Sequence, residues 1–228
     1  MLKNKKQFLV IGLGNFGASL SKTLYERGAD VMAVDKNYDI INAFEPFCSQ
    51  AVCLDATEEQ QLNKIGPAGF DEAFVCITDI KASIFICLSL LQAGVKRVTS
   101  KAADEKHKLV LQKLGVHRVI IPEQEIGHKL ALNVIRPNMI EVLSLSENFT
   151  LVEIKTPEKW QGKTVIELDL RRNERVYVLA VKRGEDIMTE GLRDIRLETD
   201  DLLLVYGTKR QTDRLADKAT KNVVDENS

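Results

Sequence analysis

An apolar run that ends in a glycine triplet is the feature that most restricts this chain. Gln7-Phe-Leu-Val-Ile-Gly12 leads into Gly12-x-Gly14-x-x-Gly17, and Phe16, Leu20 and Leu24 then recur four apart, on one helical face. In a strand–turn–helix setting each glycine has its own task. Gly12 allows a tight turn. Gly14 removes a side chain so that backbone can approach a phosphate, and Gly17 lets helix and strand pack closely. The N–H groups of the helix's first turn, at the positive end of its dipole, then face that phosphate. Asp35 stands 18 residues beyond Gly17, at the end of the next apolar run. A carboxylate there accepts hydrogen bonds from ribose hydroxyls and repels a 2′-phosphate.

The alternation continues down the chain. Apolar runs at Val31–Val34, Ala51–Leu54, Ala73–Ile77, Arg97–Lys101 and Val119–Ile121 predict strands. Helical segments separate them: one capped by Asn37, then Glu58–Ile65, Ala82–Leu91 and Glu105–Leu114. Gly28 and Gly94 are placed to stop the first and fourth helices. The fold class is therefore α/β, a Rossmann-type doubly wound parallel sheet over residues 6–122. From Glu123 the pattern changes. Glu125–Ile135 predicts a helix whose Ile126, Leu130, Leu132, Val134 and Ile135 occupy more than one face, so it should pack on its own domain and on a second copy or domain. Arg136-Pro137 ends it. Residues 123–140 are thus a crossover helix and linker. Short strands at Leu151–Ile154, Val176–Val181, Asp186–Met188 and Leu202–Tyr206, and a helix at Thr212–Ala219, make 141–218 a small α+β module. Residues 219–228 read as a disordered tail, and Asp225–Ser228 as its frayed end.

Open α/β sheets bind ligands beyond the carboxyl ends of their strands. Gly12, Gly14, Asn15, Phe16 and Gly17 form the phosphate loop. Asp35 and Lys36 follow the second strand. Asp55, Ala56 and Thr57 follow the third and should border an adenine; for Asp55 and Thr57 the alternative is helix capping ahead of Glu58. Ile77 and Thr78 follow the fourth and line the phosphates through backbone, with Asp79 beside them or capping the next helix. Lys101 ends the fifth strand, either pairing with a phosphate or carboxylate or standing in solvent. Glu123 follows the sixth strand, either helping to hold a divalent cation over bound phosphates or serving as a first-turn charge.

Composition removes other classes. Thirty-two Lys and Arg balance 33 Asp and Glu, so no bulk attraction to nucleic acid or anionic membrane is expected, and Lys3, Lys5 and Lys6 read as a solvated tail. No apolar stretch approaches the ~20 residues of a membrane span, and no secretory signal is expected, so a membrane role would run through a partner. Cys48, Cys53, Cys76 and Cys87 lack C-x-x-C spacing and fit a reduced cytosolic compartment, with Cys76 and Cys87 as small buried hydrophobes. His107, His117 and His128 are scattered, structural or solvent-facing, and no nucleophile elbow or Walker-type lysine loop is present.

Gln7–Gly17, Ala33-Val-Asp35, Asp55-Ala-Thr-Glu58 and Val110–Gly115 through Ile121-Pro-Glu123 resemble the cytosolic regulatory subunits of bacterial potassium uptake systems, the KtrA/TrkA group of the RCK (regulator of potassium conductance) family. Gly162–Leu170, Ala180–Gly184 and Asp200–Gly207 resemble that family's C-terminal module. The resemblance runs from about Lys6 to Leu215. It implies a homodimer formed through the crossover helix and assembled into a ring, an octamer, that docks on a membrane-embedded potassium channel or transporter. The chain would then be cytoplasmic, peripheral on the inner face of the membrane. The ligands it implies are ATP or ADP, with a divalent cation at Glu123, or NAD(H), and cyclic di-AMP at the C-terminal module. Close KtrA relatives carry arginine where this chain has Asn15, so ATP/ADP discrimination is weakened or moved to Lys101 or a neighbouring subunit, and NAD(H), ADP or AMP gain ground. A regulatory subunit without chemistry accounts for the lack of a catalytic constellation. A nicotinamide-dependent oxidoreductase is the alternative, but the C-terminal ~80 residues are short for a substrate domain. A redox-sensing repressor would need a helix-turn-helix or basic face that is missing here.

Overall fold

The computed structural model describes residues 5–135, 139–146 and 148–220. Lys3, Arg136-Pro137 and the stretch 221–228, with Asp225–Ser228, lie outside them. The chain divides into two compact units that part between Glu125 and Ile126.

The first unit alternates strand and helix: β1 (Gln7–Ile11), α1 (Asn15–Glu26), β2 (Asp30–Asp35), α2 (Tyr38–Phe44), β3 (Gln50–Cys53), α3 (Glu59–Lys64), β4 (Glu72–Val75), α4 (Ile80–Gln92), β5 (Val98–Lys101), α5 (Glu105–Leu114) and β6 (Arg118–Ile120). The strands form one six-stranded sheet in the order β3-β2-β1-β4-β5-β6, every neighbour parallel. The order reverses beside β1, and α/β sheets open a crevice at such a point. Alternate strand residues supply two cores. Leu9, Ile11, Val34, Val75 and Val98 pack with Leu62, Ile86, Leu90 and Leu111 of α3, α4 and α5. Val10, Val31 and Ala33 point the other way, against Phe16, Leu20 and Leu24 of α1 and Ile41 of α2. Asn37 caps α2 by accepting from the Asp39 N–H, and Gly28 takes a left-handed φ of 86° just past α1.

A helix α6 (Pro122–Ile135) crosses from one unit to the other. It begins three residues before the predicted start, because Pro122 is accepted in a first helical turn. The expected burial on two sides is not met within one chain. Ile126, Leu130, Val134 and Ile135 are all exposed, at 60%, 59%, 80% and 67%.

The second unit holds β7 (Met139–Ser144), β8 (Phe149–Lys155), α7 (Val165–Leu168), α8 (Leu170–Asn173), β9 (Tyr177–Arg183), β10 (Asp186–Met188), β11 (Leu202–Thr208) and α9 (Lys209–Thr220). Its five-stranded antiparallel sheet runs β10-β9-β11-β8-β7. Val152, Ile154, Val181, Leu203 and Val205 line the inner face against Trp160, Leu168 and Leu215. β7, α7 and α8 extend the sequence expectation. Thr164 and Glu167 close a reciprocal capping box at α7, a pattern already written in Thr-x-x-Glu. Arg183 grips Asp201 with two bonds of 2.8 Å, and the Asp201 side chain is fully buried.

Candidate functional site

The ligand-site candidates read from the sequence fall at the carboxyl ends of the parallel strands, or in the loops and first helical turns that follow them. The glycine loop lies at the β1 end of the crevice, and its three glycines face different surroundings. Gly12 has a φ of 92° and sits against Cys76 and Ile77, whose Cδ1 would be 2.8 Å from an added Cβ. At Gly17 a Cβ would fall 1.9 Å from the Gly12 carbonyl oxygen. At Gly14 a Cβ would meet nothing within 4 Å. Two glycines are therefore demanded by packing, while the third leaves open space at the start of α1. Gly14 is the N-cap of α1 and supplies no side-chain acceptor, so no cap side chain covers the first-turn N–H groups. That open space fits an anionic phosphate.

Asp35 is shared. Its Oδ2 accepts from the Leu13 N–H at 2.8 Å, and its Oδ1 accepts from the Asn37 N–H at 2.9 Å. Each carboxylate oxygen keeps a second lone-pair site, which leaves room for ribose hydroxyls. The Leu13 bond ties the tip of the glycine loop to β2, a role the spacing alone did not reveal. Lys36 and Asn15 are exposed. Asp55 accepts from both the backbone and the hydroxyl of Thr57, at 2.9 and 2.6 Å, and these bonds hold its carboxyl below the ordinary range. Neither residue caps α3, whose N-cap is Glu58. The side chains of Ala56, Ile77 and Phe16 pack with the core, so only their backbone could meet a ligand. Asp79 is the N-cap of α4, accepting from the Ala82 N–H at 2.8 Å, and Thr78 is exposed beside it.

At the far side of the edge Lys101 donates to Glu123 Oε1 at 2.5 Å. The lysine side chain is only 14% exposed and the glutamate 66%. The ammonium holds the Glu123 carboxyl below its usual range. Among the described residues no group of three or more His, Cys, Asp or Glu side chains is arranged to hold a metal ion.

Residues 8–122 match the TrkA-N domain family and residues 149–220 the TrkA-C domain family. The Ktr system potassium uptake protein C of Bacillus subtilis (strain 168) is 37% identical over 205 residues, covering 90% of this chain and 93% of that protein. The chain belongs to the Ktr potassium-uptake family. Protein A of the same Bacillus system is 34% identical over 214 residues, covering 93% of this chain and 96% of that one. The GsuK channel shares the fold, with a TM-score of 0.69 at 19% identity over 94% of this chain and 39% of the channel chain. A structure of the GsuK channel bound to NAD aligns at 0.64 and 18%, over 92% and 39%.

The remaining candidates in this Ktr-family chain are either buried in the fold or face solvent. His107 is buried, and its Nδ1 accepts from the Ala103 N–H at 3.1 Å; burial lowers its pKa. His117 accepts from the Val98 N–H, and His128 is exposed. Cys48, Cys53, Cys76 and Cys87 are free thiols. Burial pushes Cys76 up to about 12 and Cys87 to about 11, so neither is a thiolate at neutral pH. Among the described residues no helix is long and apolar enough to cross a membrane.

Proposed function

We propose that this chain is the nucleotide-binding regulatory subunit of a potassium-uptake system and binds its ligand without turning it over. Copies pair through the exposed apolar stripe of α6 and assemble into a ring on the cytoplasmic face of a membrane-embedded potassium channel or transporter. Ligand on the carboxyl edge of the parallel sheet biases the shape of that ring, and with it the pore. The observation that carries this reading is the union of that edge and the antiparallel unit in one chain that spans its Ktr relatives almost end to end.

The edge suits an adenine nucleotide or NAD(H). The first-turn N–H groups of α1 donate to phosphate, Asp35 accepts from ribose hydroxyls, and the loop at Asp55–Thr57 flanks the base. Asn15 adds a neutral donor, and charge-assisted bonds are about twice as strong as neutral ones. The NAD-bound GsuK channel supports a dinucleotide on this fold. A divalent cation at Glu123 would take its remaining ligands from bound phosphates and water, since the described residues offer no cluster of three or more ligating side chains.

Calorimetric titration of the full chain with AMP, ADP, ATP, NAD and NADH, with and without magnesium, tests the reading. Cyclic di-AMP belongs in the same series as a candidate ligand of the second unit. Binding without consumption of NADH or ATP is expected, and Asp35→Ala should weaken it at least tenfold. Turnover of a bound nucleotide, or unchanged affinity in Asp35→Ala, would overturn the proposal.

A further inference from the structure

Several cations of the second unit stand where local chemistry disfavours them. Lys209 and Arg210 open α9, whose first turn holds no acidic residue. The positive end of a helix dipole favours carboxylates there, not cations. Gln211 caps the same turn, its Oε1 accepting from the Thr208 N–H at 2.8 Å. A glutamate would make that bond and suit the dipole better. Arg175, between α8 and β9, has a φ of 58°, a left-handed conformation that glycine takes without strain and arginine does not. Departures from local preference concentrate where a surface has a function.

These residues border one cleft of about 1240 Å³, which Asn148 also lines from the turn between β7 and β8. Along α9 its wall is a single helical face, on which Arg210, Asp213, Arg214 and Asp217 recur three or four apart. Arg175, Lys209 and Arg210 are exposed, and among the described residues none of the three forms an ion pair. Two other cations tie this corner together. Arg214 and Lys218 reach the buried Glu174 at 3.1 and 2.6 Å. Arg175, Lys209 and Arg210 are therefore surplus to the fold. The cleft is basic at the start of α9, while Asp213 and Asp217 bring carboxylates farther along. A flat anionic bilayer or a lone polyphosphate would meet repulsion at those two residues. A peptide can present acids at one end and N–H donors at the other.

We propose that this cleft docks an acidic peptide segment of a partner protein, with the segment's carboxylates on Arg175, Lys209 and Arg210. Each guanidinium matches a carboxylate through two parallel bonds, and Lys209 adds a point charge. Peptide N–H groups of the same segment donate to Asp213 and Asp217. The site lies wholly in the second unit, so it stands or falls apart from any nucleotide on the parallel sheet.

The test is fluorescence anisotropy of a short fluorescein-labelled peptide of alternating glutamate and glycine, titrated with the full chain at low salt. The proteins are the wild type, Arg175→Gly, Arg210→Gln and, as a control on the exposed surface of the first unit, Lys64→Gln. Wild-type binding should weaken as salt is raised. Arg175→Gly and Arg210→Gln should each lower the affinity about tenfold, the worth of one charge-assisted bond. Glycine suits the left-handed φ, so Arg175→Gly should melt no lower than the wild type and its loss of binding is not a folding defect. Lys64→Gln should bind as the wild type does. Absence of wild-type binding, full binding by Arg175→Gly, or an equal loss in Lys64→Gln overturns the inference. Vesicles of phosphatidylserine and phosphatidylcholine, or cyclic di-AMP, run in parallel; either one binding through Arg175 where the peptide does not also overturns it.

Discussion

Two substitutions of one residue type, three positions apart, should fail in different ways. Gly17→Ala puts a methyl 1.9 Å from the Gly12 carbonyl oxygen and 3.0 Å from the Cys76 Cβ. Carbon and oxygen do not approach much inside ~3 Å, so α1 must back away from β1 by about an ångström. Overpacking on this scale costs about 3 kcal/mol, since the obstacle is backbone. In a unit of this size that lowers the melting temperature by roughly 10 °C. Gly14→Ala meets nothing within 4 Å, and the φ of −64° and ψ of −178° suit alanine. Its cost is the difference between glycine and alanine at an N-cap, under about 1 kcal/mol. The methyl does occupy the approach to the first-turn N–H groups. Losing one charge-assisted bond there weakens nucleotide binding at least tenfold, or about 1.5 kcal/mol or more. Urea unfolding and calorimetric titration on both variants separate the effects. Equal stability losses, or wild-type binding by Gly14→Ala, would refute the division of labour among the glycines.

Leu130→Asp should turn a dimeric or larger particle into a monomer by light scattering, because it places charge on the exposed stripe of α6; an unchanged particle mass would move the interface elsewhere. Arg183→Met should destabilise the second unit by about 3 kcal/mol, since it strands the fully buried Asp201 carboxylate, and a loss below 1 kcal/mol would rank the pair with surface bridges. Burial works against ionisation of Asp201, but the bonds from Arg183 and the Glu198 N–H outweigh it and hold its folded pKa below the ordinary value. That contribution is therefore present above about pH 4 and fades as pH falls through the folded pKa, so Arg183→Met should flatten the acid limb of the wild-type unfolding curve. A colorimetric thiol reagent should label the exposed Cys53 quickly and Cys48, Cys76 and Cys87 only after denaturation; fast release of a second thiol would contradict the burial of those three.

The local order of this protein was written in its sequence. Period-two and period-four apolar runs, Asn37 before a helix, Gly28 after one and the glycine triplet each act over a few residues, so the alternation of strand and helix and the tight glycine turn between β1 and α1 could be read directly. The spacing of Asp35 from Gly17 likewise placed a carboxylate at the second strand's end. What one residue does to another far away was decided by the tertiary fold. Leu13 reaches Asp35 only because β1 and β2 lie parallel in register, and Lys101 meets Glu123 only because β5 and β6 are neighbours. The apolar faces of Ala56, Phe16 and Ile77 turned inward because the sheet is covered on both sides, so these positions offer backbone and not side chain. β7 escaped the sequence reading, since its pairing energy comes from β8 and not from its own residues. The stripe on α6 marks the opposite limit: its apolar residues were plain in the sequence, yet among the described residues Ile126, Leu130, Val134 and Ile135 stay exposed.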